Sequence, residues 1–148
     1  MTTITPPLNP RVIGLAHYAS RALLENVLDR HGVTFQQSVT LRLVAVADAP
    51  IEREHLVGGV VGALKIDAAD AHSVVDELIS AAVLAAQGPS LVRITDAGRE
   101  LYERTSAEAA PITARVYAGI PAEDLAVAGR VLNLITERYD AEFAALNK

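Results

Sequence analysis

The side chains in this sequence that could bind a metal are few and widely spaced. The four histidines are His17, His31, His55 and His72. The segment Glu52-Arg-Glu-His55 lacks the first histidine of the His-Glu-x-x-His zinc motif. His72 and Asp76 stand four residues apart, so they would share one face of a helix. Because two ligands do not close a metal site, we interpret this pair as a helix-surface contact and predict no metal.

Residues for covalent or nucleotide chemistry are also missing. The sequence has no cysteine, which excludes a disulfide, a thiolate zinc site and a cysteine nucleophile. Gly58-Gly-Val-Val-Gly62 lacks the Gly-Lys-Ser/Thr ending of a phosphate-binding loop, and no Gly-x-Ser-x-Gly motif of a serine hydrolase is present. We therefore predict a protein that is not an enzyme and that uses no cofactor.

Length and composition indicate one globular domain. The chain has 148 residues, of which 51% are apolar and 21% are charged, so it has enough apolar material for a core. The uncharged stretch from Leu78 to Val92 is short and is interrupted by Gly88 and Pro89, so no membrane span is predicted. Residues 1–10 lack the basic and apolar regions of a secretory signal, and we expect a cytoplasmic protein. The net charge of −5 argues mildly against a protein that coats nucleic acid, but it does not exclude a local basic face.

Apolar spacing and turn residues predict six helices and one β-hairpin. The predicted helices cover residues 11–30, 35–47, 52–64, 68–82, 96–117 and 121–147, and the hairpin strands cover 83–86 and 91–94. Residues 2–10, with three prolines, are predicted to form an extended arm.

Several residues mark the ends of these helices. Thr34, Asp67 and Thr95 are predicted N-caps, because their short polar side chains accept hydrogen bonds from the first free backbone N–H groups. Gly32 is predicted to take the left-handed conformation past the end of the first helix. Pro111 is expected to kink or divide the fifth helix.

The last predicted helix carries two apolar stripes. The first stripe contains Leu125, Ala128, Leu132, Ile135 and Tyr139, and the second contains Val127, Val131 and Leu134. A helix with two apolar faces needs two partners. One face can pack on its own chain, and the other suggests a subunit interface.

The hairpin and the start of the fifth helix carry a family resemblance. Leu91-Val-Arg-Ile-Thr-Asp-Ala-Gly-Arg-Glu-Leu101 resembles the wing and post-wing signature of the MarR family of bacterial transcriptional regulators. Val74-Val-Asp-Glu-Leu78 falls where that family ends its recognition helix, and Ile120-Pro-Ala-Glu-Asp-Leu125 is similar to the opening of its last helix. The resemblance covers residues 10–147, and Ile94 to Leu101 is its most specific part.

The resemblance implies a fold, partners and a function. The fold is mainly α with a small β-hairpin wing (α+β), a winged helix-turn-helix core at 33–110 with a long connecting helix, and dimerisation helices at 10–31 and 112–148. The chain would be a homodimer whose fourth helix enters the major groove of double-stranded DNA while the wing reaches the minor groove. It would act as a repressor that responds to a small aromatic or phenolic effector.

Site residues follow from these expected roles. The predicted DNA contacts are Asp70, His72 and Ser73 on the fourth helix and Arg93 on the wing. Serine and histidine can donate hydrogen bonds to base edges, and aspartate can accept one from cytosine N4. His17, Tyr18 and Arg21 on the first helix are the predicted ligand contacts. An arginine there suits a carboxylate or a phenolate.

The charge of the DNA-reading segment leaves a second hypothesis open. Between His55 and Val92 the only basic residue is Lys65, against four acidic residues, and the wing tip from Gln87 to Ser90 is uncharged. Phosphate contacts supply most of the non-specific affinity of DNA-binding proteins. The alternative is therefore a winged-helix dimer that has weakened or lost DNA binding and acts as a ligand-binding or protein-interaction module.

Overall fold

A computed structural model describes residues 5–147 of the chain. The helices are α1 (Pro10–Asp29), α2 (Phe35–Ala47), α3 (Arg53–Leu64), α4 (Ala68–Ser80), α5 (Asp96–Tyr117) and α6 (Ala122–Leu146), and the strands are β1 (Ile51–Glu52), β2 (Leu84–Gln87) and β3 (Leu91–Ile94). The predicted class, mainly helical with a small β-hairpin, is confirmed. Of the predicted arm, residues 2–4 lie outside the described residues, while residues 5–9 belong to no helix or strand.

Side-chain caps set the starts of the first two helices. Asn9 Oδ1 accepts from the N–H of Val12 at 2.9 Å, which begins α1 at Pro10. Thr34 and Gln37 form a reciprocal capping box: the Thr34 hydroxyl accepts from the Gln37 N–H at 3.1 Å, and the Gln37 side chain accepts from the Thr34 N–H at 3.0 Å. Gly32 has a φ of 69°, as predicted for the residue that reverses the chain between α1 and α2.

The sheet has three antiparallel strands in the order β1-β3-β2. The hairpin of β2 and β3 was predicted, but β1 was not, and the prediction placed Glu52 inside the third helix. A strand of two residues is too short to show an alternating pattern. It forms because Ile51 pairs with Val92 across a long sequence separation.

One apolar core joins α2, α3, α4 and the sheet. Its most buried side chains include Leu41, Val44, Leu56, Val60, Val75, Leu78, Leu84 and Val92. Gly98, at the start of α5, is also buried because it lies against the backbone of Val83. The core therefore fixes α4 and the hairpin to each other and to the beginning of α5.

The described residues separate into two compact units between Pro111 and Ile112. The first unit holds α1 to α4, the sheet and most of α5. The second holds the end of α5 and all of α6, and no residue of α6 is buried. Pro111 was expected to kink or divide α5; the helix is not divided and continues to Tyr117, and the boundary between the two units directly follows this proline.

The other differences from prediction lie at helix ends. α4 ends at Ser80 and not at residue 82, because Ala82 takes a left-handed φ of 62° and Val83 N–H turns back to the carbonyl of Leu78. Asp67 is at the N-cap of α4 but makes no capping hydrogen bond with its side chain. Pro121 stands at the N-cap position of α6, one residue before the helix.

Candidate nucleic-acid interface and effector site

The fourth helix presents one apolar face to the core and one polar face to solvent. The buried side chains of this helix are Ala71, Val74, Val75 and Leu78. Their contacts with the core fix the orientation of the helix about its own axis. The exposed positions of the opposite face are Asp70, Ser73, Asp76, Glu77 and Ser80. Two of the predicted DNA contacts, Asp70 and Ser73, therefore lie on the exposed face of α4.

Arg53, the first residue of α3, holds α4 with its side chain. Its Nη2 donates to Asp76 Oδ1 at 2.7 Å and to the carbonyl of His72 at 3.3 Å, and its Nε donates to His72 Nδ1 at 3.1 Å. His72 Nε2 lies 3.7 Å from Glu54 Oε1. His72 thus faces the start of α3, and the charge of Asp76 is compensated by an arginine that sequence reasoning had not placed there.

A second acidic side chain of α4 is held by α2. Gln37 Nε2 donates to Glu77 Oε2 at 2.8 Å, and the same glutamine belongs to the capping box at the start of α2. Ser73 Oγ donates to the carbonyl of Ala69 at 3.1 Å, which leaves its oxygen lone pairs free to accept a hydrogen bond. The acidic face of α4 is thus partly neutralised and ordered by its neighbours.

The wing is short. Its tip turns at Gly88, which has a φ of 65°, and the predicted contact Arg93 lies exposed on β3, opposite Ala85. Arg93 therefore stands on the hairpin, apart from the three other predicted contacts on α4.

Two of the three predicted ligand residues, His17 and Arg21, contact an aromatic ring that was not predicted. Phe35 begins α2, and the Cζ atom of Arg21 lies 4.2 Å from the centroid of its ring. The His17 ring meets the same ring edge-on, with centroids 6.3 Å apart. Tyr18 is 68% exposed and lies beside His17, with 6.1 Å between centroids. A cation held over an aromatic face, next to a histidine and a tyrosine, can receive a flat anionic ligand.

Phe35 was not among the predicted ligand contacts, which were all polar side chains of the first helix. The sequence does single out Phe35, since it is one of only two phenylalanines in the chain and directly follows the capping residue Thr34. Arg21 also pairs with Glu25 one turn later on α1. An anionic ligand would therefore compete with Glu25 for the guanidinium group.

An ionic cluster joins the end of α1 to α5. Glu108 Oε2 accepts from Nε2 of His31 at 3.0 Å and from Nη2 of Arg30 at 3.4 Å. The hydrogen bond with His31 is the main cause that holds the pKa of the Glu108 carboxyl below its usual value, and Arg30 adds to this effect. Sequence patterns did not predict this contact.

The lowered pKa of Glu108 predicts how stability depends on pH. A carboxyl that ionises more easily in the folded state stabilises the fold above its unfolded pKa, and that contribution is lost as the pH falls through the lower folded pKa. Glu108→Gln should therefore lower the free energy of unfolding at neutral pH and make its loss on acidification less steep. Urea unfolding across a pH series measures both effects, with Glu103→Gln, an exposed position on the same helix, as control. Equal pH profiles for the native chain and Glu108→Gln would contradict the prediction.

Within residues 5–147 there is no group of three histidine, aspartate or glutamate side chains placed to hold a metal ion. No helix in the same range is both long and apolar enough to cross a membrane.

Solved structures share this fold, although no protein-family model and no curated protein sequence matches the chain. Staphylococcus aureus MarR in complex with salicylate and kanamycin aligns with a TM-score of 0.76 and 18% identity, over 89% of this chain and 90% of that one. CouR from Rhodococcus jostii RHA1 bound to p-coumaroyl-CoA aligns with a TM-score of 0.71 and 18% identity, over 84% and 88% of the two chains. NadR in complex with 4-hydroxyphenylacetate aligns with a TM-score of 0.71 and 20% identity, over 87% of this chain and 96% of that one.

These alignments cover 84–89% of this chain and 88–96% of the other three chains. The helices and the hairpin occur in the order that apolar spacing and turn residues predicted, and the motif from Ile94 to Leu101 lies at the end of β3 and the start of α5. The predicted resemblance is therefore confirmed in three dimensions, and the chain has the winged-helix fold of MarR-family regulators.

Proposed function

We propose that this protein is a homodimeric, cytoplasmic transcriptional regulator that binds double-stranded DNA and responds to a small aromatic or phenolic ligand. The observation that carries the proposal is the placement of α4. Its apolar face is fixed in the core while its polar face is exposed, and the core also fixes the β2–β3 wing. In helix-turn-helix proteins an exposed helix of this kind lies in the major groove, with its first turns nearest the bases.

The contacts of α4 reduce the electrostatic objection to DNA binding. Asp76 is paired with Arg53, so the repulsion between α4 and phosphates is smaller than the sequence suggests, and the hydrogen bond from Gln37 holds the side chain of Glu77 in place. Arg42 on α2 and Arg93 on β3 are exposed and can approach the backbone of the duplex from the flanks of α4. Each such contact adds to affinity through the release of counterions.

The exposed apolar surface of α6 supports the dimer. The chain by itself leaves large apolar side chains of this helix in solvent: Val127, Leu132, Leu134, Tyr139, Phe143 and Leu146. Apolar surface of this extent on one helix marks an interaction site. A second copy of the chain is the partner proposed here, because a twofold axis would bring the same face of α6 from each copy together.

The cluster of Arg21, His17, Tyr18 and Phe35 supports the response to a ligand. The aligned structures include complexes with salicylate, p-coumaroyl-CoA and 4-hydroxyphenylacetate, all of which contain a phenolic group. A planar anion of this kind would pair with Arg21, whose Cζ atom lies over the Phe35 ring at 4.2 Å from its centroid, and would pack beside that ring.

A second candidate function is a winged-helix dimer without strong DNA binding that acts through a ligand or a protein partner. It is favoured by the sequence of α4, which contains no lysine or arginine, and by the uncharged wing tip. The two candidates differ in one observable property, selective affinity for duplex DNA.

Fluorescence anisotropy with duplexes selected by the protein from a random library tests the proposal. A core of about 20 base pairs covers two half-sites that lie one helical turn apart. The proposal would be supported if the selected duplex bound with nanomolar affinity at near-physiological salt and if salicylate abolished this binding. Absence of selective binding even at low salt would reject it in favour of the second candidate.

Ser73→Ala should weaken binding of the selected duplex by about 1–3 kcal/mol, because Ser73 stands in the first half of α4 with a free acceptor. Ser80→Ala is the matched control, since Ser80 is exposed at the far end of the same helix. The same anisotropy titration measures both variants. An unchanged affinity for Ser73→Ala would remove Ser73 from the interface.

A further inference from the structure

Arg53 connects the wing tip with the recognition helix. Its backbone N–H donates to the carbonyl of Ser90, the last residue before β3, at 2.8 Å. Its side chain donates to Asp76 and to both the ring and the carbonyl of His72 on α4. A single residue therefore makes hydrogen bonds to each of the two parts that would contact DNA.

The guanidinium group of Arg53 is committed to these contacts. Nε and Nη2 are directed at two different residues of α4, and 28% of the side chain remains exposed. Its charge is compensated by Asp76 at 2.7 Å. An arginine held in this way is poorly placed to bind a phosphate, because it would first have to give up a charge-assisted hydrogen bond.

We propose that Arg53 is a positioning residue that fixes the wing tip relative to α4 and thereby sets the sequence selectivity of the protein without contacting DNA. This inference rests on the proposed function. A winged-helix protein must engage the duplex with its recognition helix and its wing at the same time. If the distance between the two varies, the contacts to base edges are lost, whereas contacts of flexible basic side chains to phosphates persist.

The alternative role, a direct phosphate contact, predicts a different result. Loss of a phosphate contact weakens binding of all duplexes alike and reduces the slope of log affinity against log salt by about 0.9. Loss of a positioning residue lowers the ratio between the affinities for a selected and a scrambled duplex, and it leaves the salt slope unchanged. The ratio and the slope together therefore separate the two roles.

The experiment measures both quantities for the native chain and for the variants Arg53→Gln, Arg53→Lys and Asp76→Asn. Arg53→Gln should lower the ratio about tenfold, the effect of losing one base contact. Arg53→Lys should lower the ratio as well, because the three donors of an ammonium group share one nitrogen and cannot replace the separated Nε and Nη2 donors that bind His72 and Asp76. Arg42→Gln removes an exposed arginine of α2 that can approach the phosphates, so it should weaken binding of both duplexes alike and leave their ratio unchanged.

The double variant Arg53→Gln/Asp76→Asn tests whether the two residues act together. If Arg53 acts through Asp76, the double variant should lose no more selectivity than Arg53→Gln alone. Additive losses would overturn that link. The positioning role would be overturned if Arg53→Lys kept full selectivity. It would also be overturned if Arg53→Gln weakened binding of both duplexes equally and reduced the salt slope.

Amide hydrogen exchange of the protein alone keeps the inference separate from the proposed function. If Arg53 fixes the wing tip, Arg53→Lys and Arg53→Gln should speed exchange at the amide of residue 53, which is bonded to Ser90, relative to Arg42→Gln. Unchanged exchange would overturn the inference even if the native chain binds DNA selectively. Failure of the native chain to select any duplex would instead count against the proposed function.

Discussion

Gly98→Ala is expected to lower the free energy of unfolding by about 3 kcal/mol or more, an effect at the upper end for overpacking of a core. A Cβ atom at this position would lie 2.0 Å from the carbonyl oxygen of Val83 and 2.9 Å from Cγ1 of Ile94. The same oxygen accepts a hydrogen bond from the N–H of Thr95 at 3.1 Å. Since the obstacle is backbone and is already bonded, α5 would have to move away from the hairpin.

Urea unfolding of Gly98→Ala and Gly58→Ala measures this effect against a matched control. Both glycines stand inside α-helices, but a Cβ at Gly58 would meet no atom within 4 Å. Gly58→Ala should therefore stabilise the protein by about 1 kcal/mol through helix propensity alone. A Gly98→Ala variant as stable as the native chain would show that the start of α5 does not lie against Val83.

Leu132→Glu is expected to convert the proposed dimer into monomers at micromolar concentration. Leu132 lies on the heptad-spaced apolar stripe of α6 and is 39% exposed in the single chain. A twofold interface would bury the new carboxylate once in each copy, and an unpaired buried charge costs several kcal/mol. The dissociation constant should therefore rise by more than about a hundredfold.

Sedimentation equilibrium decides this prediction. The native chain should sediment at twice the monomer mass of 15.7 kDa, and Leu132→Glu at the monomer mass. Asn133→Glu is the control, because it adds the same charge one residue further along, on the polar face of α6. A native species of 15.7 kDa would reject the dimer, and a dimeric Leu132→Glu would exclude this stripe from the interface.

Local patterns predicted the helices well, because caps and glycine turns act over a few residues. The bounds of α2 and α5 agree with prediction, and the Thr34 and Thr95 side chains cap them by bonding the N–H groups three residues later. The motif that contains Gly98 was recognisable for a physical reason. Only glycine fits where α5 meets Val83, so its place relative to Thr95 is constrained by contact.

The contacts that shape the candidate sites were not predictable in the same way. Arg53 and Asp76 are 23 positions apart, and His31 and Glu108 are 77 positions apart. No local pattern marks such pairs, because the charge of each residue is equally consistent with exposure to solvent. The acidity of α4 was correctly identified, but the partners of Asp76 and Glu77 only become visible once α2, α3 and α4 are packed.

The absence of any buried residue in α6 has a thermodynamic consequence. If a second copy covers this helix, its order and the association of two chains belong to one equilibrium. The melting temperature of the protein then depends on its own concentration, as it does whenever a partner binds only the folded state. In a dilute cell compartment, the amount of chain made would itself determine how much of it is folded.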